Sequence, residues 1–454
     1  MMRSMFSGVS GLRSHQTRMD VIGNNVANVN TIGFKSGRVL FQEIFSQTLR
    51  GAGSPDASTG RGGTNPMQVG LGLSVGGVDT IFTRGSVQRT DNPTDLSIEG
   101  EGFFILKGGA SDTYRFTRAG NFGIDKLGNL VSGNGMNVYG WQEYKRLPDG
   151  SYEFDTEKMI EPINLYSDVY NKNKRMISAK ATSNAVFAGN LDSTKAPLGT
   201  ALNTIGSPLP QGHPQFKVPM TVYDSLGNEY KVNLNFSKCF IDTANPDSPV
   251  TSWYWEIEPP SGMTAGTAFG YIQFDKQGQV IQNIPGYETK PTVKFIPEAS
   301  STGTSPFDVV FDFTRLTMYS ADCSVRPTNV DGYPTGNLVT FNIGADGILT
   351  GIYSNGQQQP LGLIALACFE NPAGLQKVGE NLYIPTTNSG DFKKGLKAGS
   401  EGVGMLSPGT LEMSNVDLSR EFTDMIVTQR GFQANSRIIT TSDEMLQELV
   451  NLKR

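Results

Sequence analysis

The sequence has few of the residues on which metal sites and disulfide frameworks depend. Its 454 residues include three cysteines and two histidines. Cys239, Cys323 and Cys368 are far apart and form no Cys-x-x-Cys pair, which argues against a disulfide framework and a structural zinc site. His15 and His213 are too few for a histidine metal site. We therefore expect no metal or cofactor, and small buried cysteines, with one exposed or crosslinkable thiol as the alternative.

Proline is missing from both ends of the chain, and long apolar runs are missing throughout. All 24 prolines lie between Pro55 and Pro408. Both ends are therefore free to form helices, since proline removes a backbone donor and clashes with the preceding turn. No segment approaches the roughly 18–20 apolar residues of a membrane span. The formal net charge is −5, which predicts neither nucleic-acid binding nor attraction to an anionic membrane.

The first residues also lack the features of a secretory signal. Residues Met1 to Phe6 have neither an apolar core nor a small-residue cleavage site. We expect a protein that is cytoplasmic or exported by a route that reads no cleaved signal.

Both proline-free ends carry an apolar residue at every seventh position. Near the start these residues are Met5, Leu12, Met19 and Val26. Near the end they are Leu418, Met425, Phe432, Ile439 and Leu446, and Phe422 begins a second column of positions spaced by seven. This spacing is typical of helices that bury one narrow seam against other helices. We expect the two terminal helices to pair with each other and with helices of other copies.

Local signals predict that both terminal helices are weak when alone. Gly8, Gly11 and Gly23 interrupt the N-terminal repeat, and each glycine costs about 1 kcal/mol relative to alanine in a helix. Ser414, with Asp417 three residues later, forms a capping-box pattern just before the C-terminal repeat. The second column of that repeat is mostly polar, however: Phe422, Gln429, Ser436, Asp443 and Val450. Since such helices gain most of their stability from packing, both ends are expected to fold on assembly.

The long region between the ends is predicted to be all β and to form two domains. A Gly- and Ser-rich linker is expected around residues 51–63. Apolar alternation begins at Val69, and strand-like runs follow at 102–106, 114–117 and 364–369. These segments predict hairpins with little helix between them.

A four-residue turn signature, Asp-x-x-Gly, recurs at Asp125, Asp224 and Asp275. Aspartate accepts hydrogen bonds from the turn backbone, and glycine tolerates the left-handed exit. The full ligand spacing of a calcium loop, with its closing Glu, is absent. The pattern therefore predicts hairpin turns rather than calcium sites.

Motifs of enzymes are weak in this chain. Residues 72–76 read Gly-Leu-Ser-Val-Gly and formally match the GxSxG nucleophile elbow, which requires a strand before it, a helix after it and a downstream acid and histidine. Here strand-like alternation surrounds the motif. No Walker A or GxGxxG sequence exists, and the carboxylates are scattered rather than clustered. We expect a protein without catalytic residues.

An asparagine-rich segment closes the N-terminal repeat. Residues 23–35 read Gly-Asn-Asn-Val-Ala-Asn-Val-Asn-Thr-Ile-Gly-Phe-Lys. Asn and Gly favour turns because the short amide competes for backbone hydrogen bonds, so a helix end followed by an ordered loop is predicted. The segment also resembles the signature of the bacterial flagellar rod and hook family, N-N-[aliphatic]-A-N-x-[N/D]-T-x-G-[F/Y]-K. The matching positions include Asn24, Asn25, Asn28, Asn30, Thr31, Gly33 and Phe34.

Further segments extend this resemblance over most of the chain. Residues 415–418 and 429–436 resemble the closing helix of the family. Residues 221–228 and 369–375 resemble the interior of its hook members, and the opening Met-Met-Arg-Ser resembles spirochaete members. Hooks of that group are thought to join a middle-domain cysteine to a neighbour's lysine. Where we would look for that cysteine this chain has Gly189, although Cys239 or Cys323 could substitute.

The resemblance implies a mainly β protein with terminal α-helices, nested as an axial flagellar subunit. Coiled-coil-like helices and a linker would occupy residues 1–68 and 406–454. An inner β domain would occupy 69–164 and 312–405, and an outer β-barrel-like domain 165–311.

The assembly implied by the resemblance is a helical homopolymer of the flagellar hook. This curved, flexible, hollow tube transmits motor torque from rod to filament. Its partners would be rod and hook–filament junction proteins, the hook cap and the flagellar type III export apparatus. It would lie outside the cell, or in the periplasm of a spirochaete.

Two alternatives remain open at this point. A distal-rod protein of the same family would lack or shorten the region from about 165 to 311. A secreted β-rich adhesin or hydrolase would show a secretory signal or clustered carboxylates, and neither is visible in the sequence.

Overall fold

The computed structural model divides into two compact units. Unit 1 comprises Met1–Lys172, Phe341–Gly351 and Gln359–Arg454, and unit 2 comprises Asn173–Thr340 and Ile352–Gln358. The residues described are 2–55, 60, 62–108, 113–147, 151–166, 174–198, 213–242, 250–260, 262–266, 268–282, 288–298 and 303–452. The predicted linker therefore lies partly outside the described residues.

The described part of the chain has a long helix at each end and β-strands of 2 to 14 residues between them. The helices are α1 (Met2–Ala27) and α2 (Leu418–Asn451), and a single 3-10 turn spans Pro372–Gly374. The first strands are β1 (Gly37–Glu43), β2 (Ser46–Arg50), β3 (Met67–Gly70), β4 (Leu73–Thr80), β5 (Val87–Arg89), β6 (Leu96–Glu99), β7 (Phe103–Lys107), β8 (Tyr114–Thr117), β9 (Phe122–Ile124), β10 (Leu130–Ser132), β11 (Asn137–Trp141), β12 (Tyr144–Arg146), β13 (Tyr152–Phe154) and β14 (Glu161–Pro162). The next strands are β15 (Met176–Ile177), β16 (Asn184–Asp192), β17 (Phe216–Tyr223), β18 (Glu229–Asp242), β19 (Val250–Glu258), β20 (Met263–Ala265), β21 (Phe269–Phe274), β22 (Thr292–Pro297), β23 (Phe307–Tyr319) and β24 (Arg326–Val330). The last strands are β25 (Gly336–Ile343), β26 (Ile348–Tyr353), β27 (Gln358–Ala367), β28 (Gln376–Gly379), β29 (Leu382–Ile384), β30 (Leu396–Lys397), β31 (Met405–Pro408) and β32 (Thr410–Glu412).

Unit 1 contains both terminal helices, which contact each other along their length. The chain leaves α1 through a turn and forms an antiparallel ribbon, in which β1 pairs with β4 and β2 pairs with β3. The chain returns to α2 through β31, which pairs with β6, and β32, which pairs with β5. The predicted proximity of the two chain ends is therefore present within one subunit.

The larger sheet of unit 1 includes the order β27-β11-β7-β8-β29-β28. Its strand β27 is the segment that the sequence indicated as a central strand, and it pairs with β7, β11 and β30. A core of aromatic and aliphatic side chains covers this sheet, including Phe103, Phe116 and Trp141. Burial of such side chains, each worth about 1.5–3 kcal/mol, stabilises the unit to which both helices are attached.

Unit 2 is built from two sheets that share one core. The five-stranded sheet has the order β20-β22-β23-β16-β24 and the four-stranded sheet the order β17-β18-β19-β21. Side chains from both sheets, such as Phe187, Trp253 and Phe313, belong to one buried cluster. Two facing sheets are a sandwich arrangement. The expected barrel-like outer domain is therefore corrected: the described strands of this unit form no closed barrel.

One boundary differs from the sequence expectation. The expected end of the outer domain, residue 311, falls inside β23. Strand β16 pairs with β23 in parallel and with β24 in antiparallel orientation. Because both strands share a sheet with β16, unit 2 continues to Thr340.

The Asp-x-x-Gly turns are confirmed. In each turn, Oδ1 of the aspartate accepts hydrogen bonds from the backbone N–H groups two and four residues later, at 2.7–3.0 Å. The glycines of the three turns have φ values of 89° at Gly128, 89° at Gly227 and 77° at Gly278. These values lie in the left-handed region that glycine adopts without strain.

Candidate assembly interface

The two terminal helices meet along a seam of small residues. Gly8 and Gly11 of α1 are buried against α2: a β-carbon built on Gly8 would lie 3.3 Å from Ile439 Cγ1, and one built on Gly11 would lie 2.7 Å from Asn435 Nδ2. On the other helix, a β-carbon on Gly431 would lie 2.9 Å from the ring of His15. Small residues let the two backbones approach closely, so the glycines that interrupt the apolar repeat of α1 are contact positions.

Polar side chains continue the seam toward the C-terminal end of α1. Arg18 Nη2 lies 3.0 Å from Asp424 Oδ1. Asn25 Nδ2 donates to Glu421 Oε1 at 3.1 Å. Burial raises the pKa of the Glu421 carboxyl, while the hydrogen bond from Asn25 opposes this shift. The order of these contacts shows that the helices run antiparallel.

His15 lies in the middle of the seam. Its ring packs edge-on against Phe41 of β1, with ring centroids 5.6 Å apart. The guanidinium carbon of Arg18 lies 5.8 Å from the centroid of the same phenyl ring. Burial, and then the charge of Arg18, lower the pKa of His15. The seam therefore combines small and polar residues with the apolar side chain of Ile439.

Of the apolar residues spaced by seven, Ile439 packs against Gly8 in the seam, and the others are half-buried or exposed. Half-buried are Met5, Leu12, Met19, Val26, Met425, Ile439 and Leu446, whereas Leu418, Phe422 and Phe432 are exposed. Further exposed apolar residues on the helices are Met2, Phe6, Val9, Ile426, Val427, Ile438, Met445, Leu449 and Val450, and Leu452 is exposed directly after α2. Most large apolar side chains of the two helices are thus left available at the surface of a single subunit.

Several signature residues have a local structural role. Asn25 is buried and joins three elements, because Nδ2 donates to Gly37 O and to Glu421, and Oδ1 accepts from the Gly37 N–H. Asn28 Oδ1 accepts from Thr31 Oγ1 at 3.0 Å and fixes the turn that ends α1. Asn24 and Asn30 are exposed. The side chains of Asn25 and Asn28 therefore shape the helix end, where the sequence predicted a turn.

Gly33 and Phe34 anchor the end of the signature. Gly33 has φ 69°, and a β-carbon there would lie 2.7 Å from the backbone nitrogen of Ala119. Phe34 is buried, and Lys377 Nζ lies 4.9 Å from its ring centroid. This loop is held against the β strands of unit 1 rather than projecting from them.

The start of α2 differs from the predicted capping box. The N-cap is Asp417, whose carboxylate accepts from the N–H groups of Ser419 at 2.9 Å and Arg420 at 3.3 Å. Ser414 instead accepts from the Val416 N–H, before the helix. Ser414 is buried and therefore belongs to the connection that leads into α2.

Sequence reasoning missed the surface of the β1–β4 and β2–β3 ribbon. Exposed apolar residues follow it: Leu40, Ile44, Phe45, Leu49, Met67, Val69 and Val78. The sequence did not indicate this apolar surface, because the strands that carry it flank the Gly-rich segment that was predicted to be a linker. The glycine seam was missed for a similar reason, although Gly8, Gly11 and Ser14 at spacings of three are a visible sign of close helix packing.

The described residues offer little for chemistry. They contain no group of three or more His, Cys, Asp or Glu residues arranged to hold a metal ion. None of the helices in the ranges described is long and apolar enough to cross a membrane. Cys239 is buried, and Cys323 and Cys368 are half-buried, all as free thiols. The site that the structure does offer is the surface of its paired ends.

Models of flagellar protein families match four segments of the chain in order. The matched descriptions are flagella basal body rod protein at 5–35, flagellar hook protein FlgE/F/G D1 domain at 97–170, flagellar basal body protein FlaE D2 domain at 190–333 and flagellar basal body rod FlgEFG protein C-terminal at 407–452. Paired terminal helices around a β interior thus define an axial protein of the bacterial flagellum.

Comparison with individual proteins shows which members of the flagellar axial family this chain resembles. The flagellar hook protein FlgE of Treponema pallidum is 40% identical and that of Borreliella burgdorferi 41% identical, each over 100% of both chains. The flagellar basal-body rod protein FlgG of Bacillus subtilis is 30% identical, also over 100% of both chains. This chain belongs to the flagellar hook protein family, and the spirochaete resemblance of its sequence is confirmed.

These relatives also bear on the alternatives. A rod-named relative matches over its full length, so the presence of the middle region does not by itself exclude a rod protein. The higher identity to two hook proteins makes the rod alternative the weaker one. Proteins of this family are structural components of the flagellum, exported from the cytoplasm, and not enzymes.

Proposed function

We propose that this chain is the structural subunit of a flagellar hook and that it polymerises through its terminal helices into a curved, hollow tube. One observation carries the proposal. The seam within a subunit is made mainly by small and polar residues, with Ile439 packed against Gly8, while other large apolar residues of the same helices, such as Phe6, Phe422 and Ile426, remain exposed. Large exposed apolar surfaces in soluble proteins mark sites of association.

The exposed apolar residues lie on more than one side of the helix pair. At about 100° per residue, Met2, Phe6 and Val9 occupy the side of α1 opposite its buried residues Gly8 and Gly11. A side chain of this size contributes about 1.5–3 kcal/mol when it is buried. Contacts with neighbouring subunits on several sides are what a tube wall requires, and they would stabilise helices that are weak alone.

The finer features expected from the sequence belong to the same proposal. Residues 1–68 and 406–454 form the inner wall, 69–164 and 341–405 the next layer, and 165–340 the outer layer, with the expected boundary at 311 moved because β23 and β24 share a sheet with β16. The subunit contacts rod and hook–filament junction proteins and the hook cap. It leaves the cytoplasm unfolded through the flagellar type III apparatus, without a cleaved signal, and lies outside the cell, or in the periplasm if its source is a spirochaete.

Bending and torque transmission follow from the two kinds of contact. An apolar contact between helices in the tube wall resists axial load. Polar contacts at an exposed surface are individually weak, so neighbouring subunits can slide on the inner side of a bend at little cost. This combination distinguishes a flexible joint from a rigid shaft.

Electron microscopy of the concentrated protein tests this function. We expect the full chain to form curved hollow tubes, and a chain lacking residues 1–40 and 415–454 to stay monomeric. The double variant Phe422→Ser/Ile426→Ser should also remain monomeric. Leu127→Ser is the matched control, because Leu127 is even more exposed but lies in a β turn, and it should form normal tubes.

Other outcomes would contradict parts of the proposal. Straight tubes would favour the rod alternative. Monomers at every concentration of the full chain would overturn assembly through the terminal helices, and so would tubes formed by the truncated chain.

A further inference from the structure

We propose that a buried charge cluster of Lys35, Glu412 and Arg118, called here the clasp, fixes the direction in which the paired helices leave the β strands of unit 1. This inference deepens the proposed function and rests on it, because the direction of the helices decides whether subunits fit into one tube. The clasp residues are thus positioning residues for polymerisation.

The cluster is unusual in being almost fully removed from solvent. Lys35 Nζ lies 2.6 Å from Glu412 Oε1, and both side chains have 0% exposure. Arg118 Nη1 lies 3.5 Å from Glu412 Oε2, with 4% exposure of the arginine side chain. One carboxylate therefore serves two cations. Lysine, arginine and glutamate are almost never buried to this extent unless they are paired.

Backbone groups bond to both cations and to one oxygen of the carboxylate, whereas Glu412 Oε2 and Arg118 Nε are buried without a hydrogen bond to the described residues. Lys35 Nζ donates to Thr83 O at 2.8 Å, and the Gly85 N–H donates to Glu412 Oε1 at 3.1 Å. Arg118 Nη1 donates to Gly100 O at 2.8 Å, and its guanidinium carbon lies 5.2 Å from the centroid of the buried Phe103 ring. Arg118 thereby ties the cluster to the β core of unit 1.

The clasp lies beside the two segments that connect α1 and α2 to the β strands of unit 1. Lys35 follows α1 by one short turn, and Glu412 closes β32 just before α2 begins. Beside the ion pair, the Gly33 N–H donates to Glu412 O at 2.8 Å, and the Ser36 N–H donates to Asn415 Oδ1 at 2.8 Å. The two connecting segments therefore run side by side and are locked to each other.

The same segments are locked to the β strands. Lys377 Nζ donates to Lys35 O at 2.8 Å. Asn381 Nδ2 donates to Ile32 O at 2.9 Å, and Asn415 Nδ2 donates to Ile81 O at 2.8 Å. Neither connecting segment can rotate without breaking several of these hydrogen bonds.

Stability alone does not explain why charges occupy this position. A buried ion pair is often no more stable than apolar residues of the same volume, because desolvation offsets the attraction. Apolar contacts are non-directional, however, whereas a carboxylate shared by two cations and a backbone N–H allows few arrangements. Three segments far apart in the sequence each supply one charge, so the arrangement forms only when both chain ends are docked.

A neutral clasp tests the inference. The triple variant Lys35→Met/Glu412→Leu/Arg118→Met keeps the volume of the cluster and removes its directional bonds. We expect its β core to melt close to the wild-type temperature, while the concentration needed for tube formation rises by about tenfold or more. Amide hydrogen exchange of residues 28–36 and 411–417 should accelerate by a similar factor.

The control is the exposed ion pair of Lys393 and Glu370 in the same unit. Lys393→Met/Glu370→Leu should form tubes at the wild-type concentration. A triple variant that assembles at that concentration into tubes of unchanged diameter would overturn the clasp.

A measurement on the unaltered protein decides the case in which the variant fails to fold. In the wild-type monomer, residues 28–36 and 411–417 should be protected from exchange as strongly as β7 and β27. Exchange at the rate of a free peptide would overturn the clasp. Absence of tubes from the wild type would instead overturn the proposed function, so the two failures are distinguishable.

Discussion

Gly11 of α1 and Asn435 of α2 are in direct contact, and the contact leaves no room for a side chain on Gly11. A β-carbon there would lie 2.7 Å from Asn435 Nδ2 and 2.9 Å from Asn435 Cγ. The amide that fills this space donates to Gly431 O at 3.0 Å. At this point the two helices therefore meet through a glycine and a hydrogen-bonded asparagine.

Gly11→Ala should weaken the helix pair even though alanine favours a helix by about 1 kcal/mol. Overpacking of a tight contact costs typically about 1–3 kcal/mol, which exceeds the gain in propensity. We expect a higher critical concentration for tube formation, measured by sedimentation. Gly23→Ala is the matched control, because a β-carbon at Gly23 has no atom within 4 Å. An unchanged critical concentration for Gly11→Ala would show that the seam adapts.

Gly33→Ala should destabilise unit 1 by about 1–3 kcal/mol, the cost of a strained backbone position. Its φ of 69° disfavours alanine, and the added carbon would lie 2.7 Å from the Ala119 nitrogen. Calorimetric melting measures the effect. Gly135→Ala isolates the clash, because Gly135 has φ 74° and open space around it. Equal losses in both variants would mean that the contact with Ala119 contributes nothing.

Asp417→Ala should destabilise the first turn of α2 by about 1 kcal/mol, because the side chain caps two backbone N–H groups. Hydrogen exchange of the Ser419 and Arg420 amides reports the loss directly. Asp417→Asn should retain most of the protection, since an amide oxygen also accepts these bonds. Ser414→Ala should leave the same two amides unchanged. Faster exchange in Ser414→Ala would support the capping box that the sequence predicted.

Asp331 should make unit 2 sensitive to acid. Burial by itself raises the pKa of this carboxyl, but hydrogen bonds from Ser183 and Asn184 and the ion pair with Lys180 hold it well below its usual range. A lowered folded-state pKa gives stability that is present above the unfolded pKa of about 3.9 and is lost as the pH falls through the folded-state pKa.

Asp331→Asn tests this contribution. The variant should lose about 1–3 kcal/mol at neutral pH and show a weaker decline in acid than the wild type. Urea unfolding followed by tryptophan fluorescence suits the measurement, because Trp253 and Trp255 lie in the core of unit 2. Asp322→Asn, at an exposed position in the same unit, should change neither quantity. A parallel acid decline in Asp331→Asn and wild type would assign the sensitivity to other groups.

Features that depend on neighbours in the sequence were predictable. Proline-free apolar repeats predicted α1 and α2, and the asparagine-rich segment predicted the turn after Ala27. The Asp-x-x-Gly turns followed from chemistry within five residues of one another. The resemblance of the signature and of the closing helix to one family was equally local, and these short segments were enough to indicate the family.

Features that depend on distant residues were not predictable. A heptad repeat indicates a helix with an apolar side, but it does not say which side meets the other helix of the same chain. In the structure, Gly8, Gly11 and Gly431 lie on the sides where the two helices meet, because helices can approach each other closely where side chains are small.

The sequence by itself determined that the chain has two helical ends, a β interior and the character of an assembling subunit, because periodicity and turn chemistry act over a few residues. Only the tertiary structure decided that Lys35 meets Glu412, a partner 377 residues away, or that Asp417 rather than Ser414 caps α2. From the sequence alone, a lysine such as Lys35 is expected to be a solvated surface charge. Only the folded structure shows that it is buried, and a buried charge requires a specific partner.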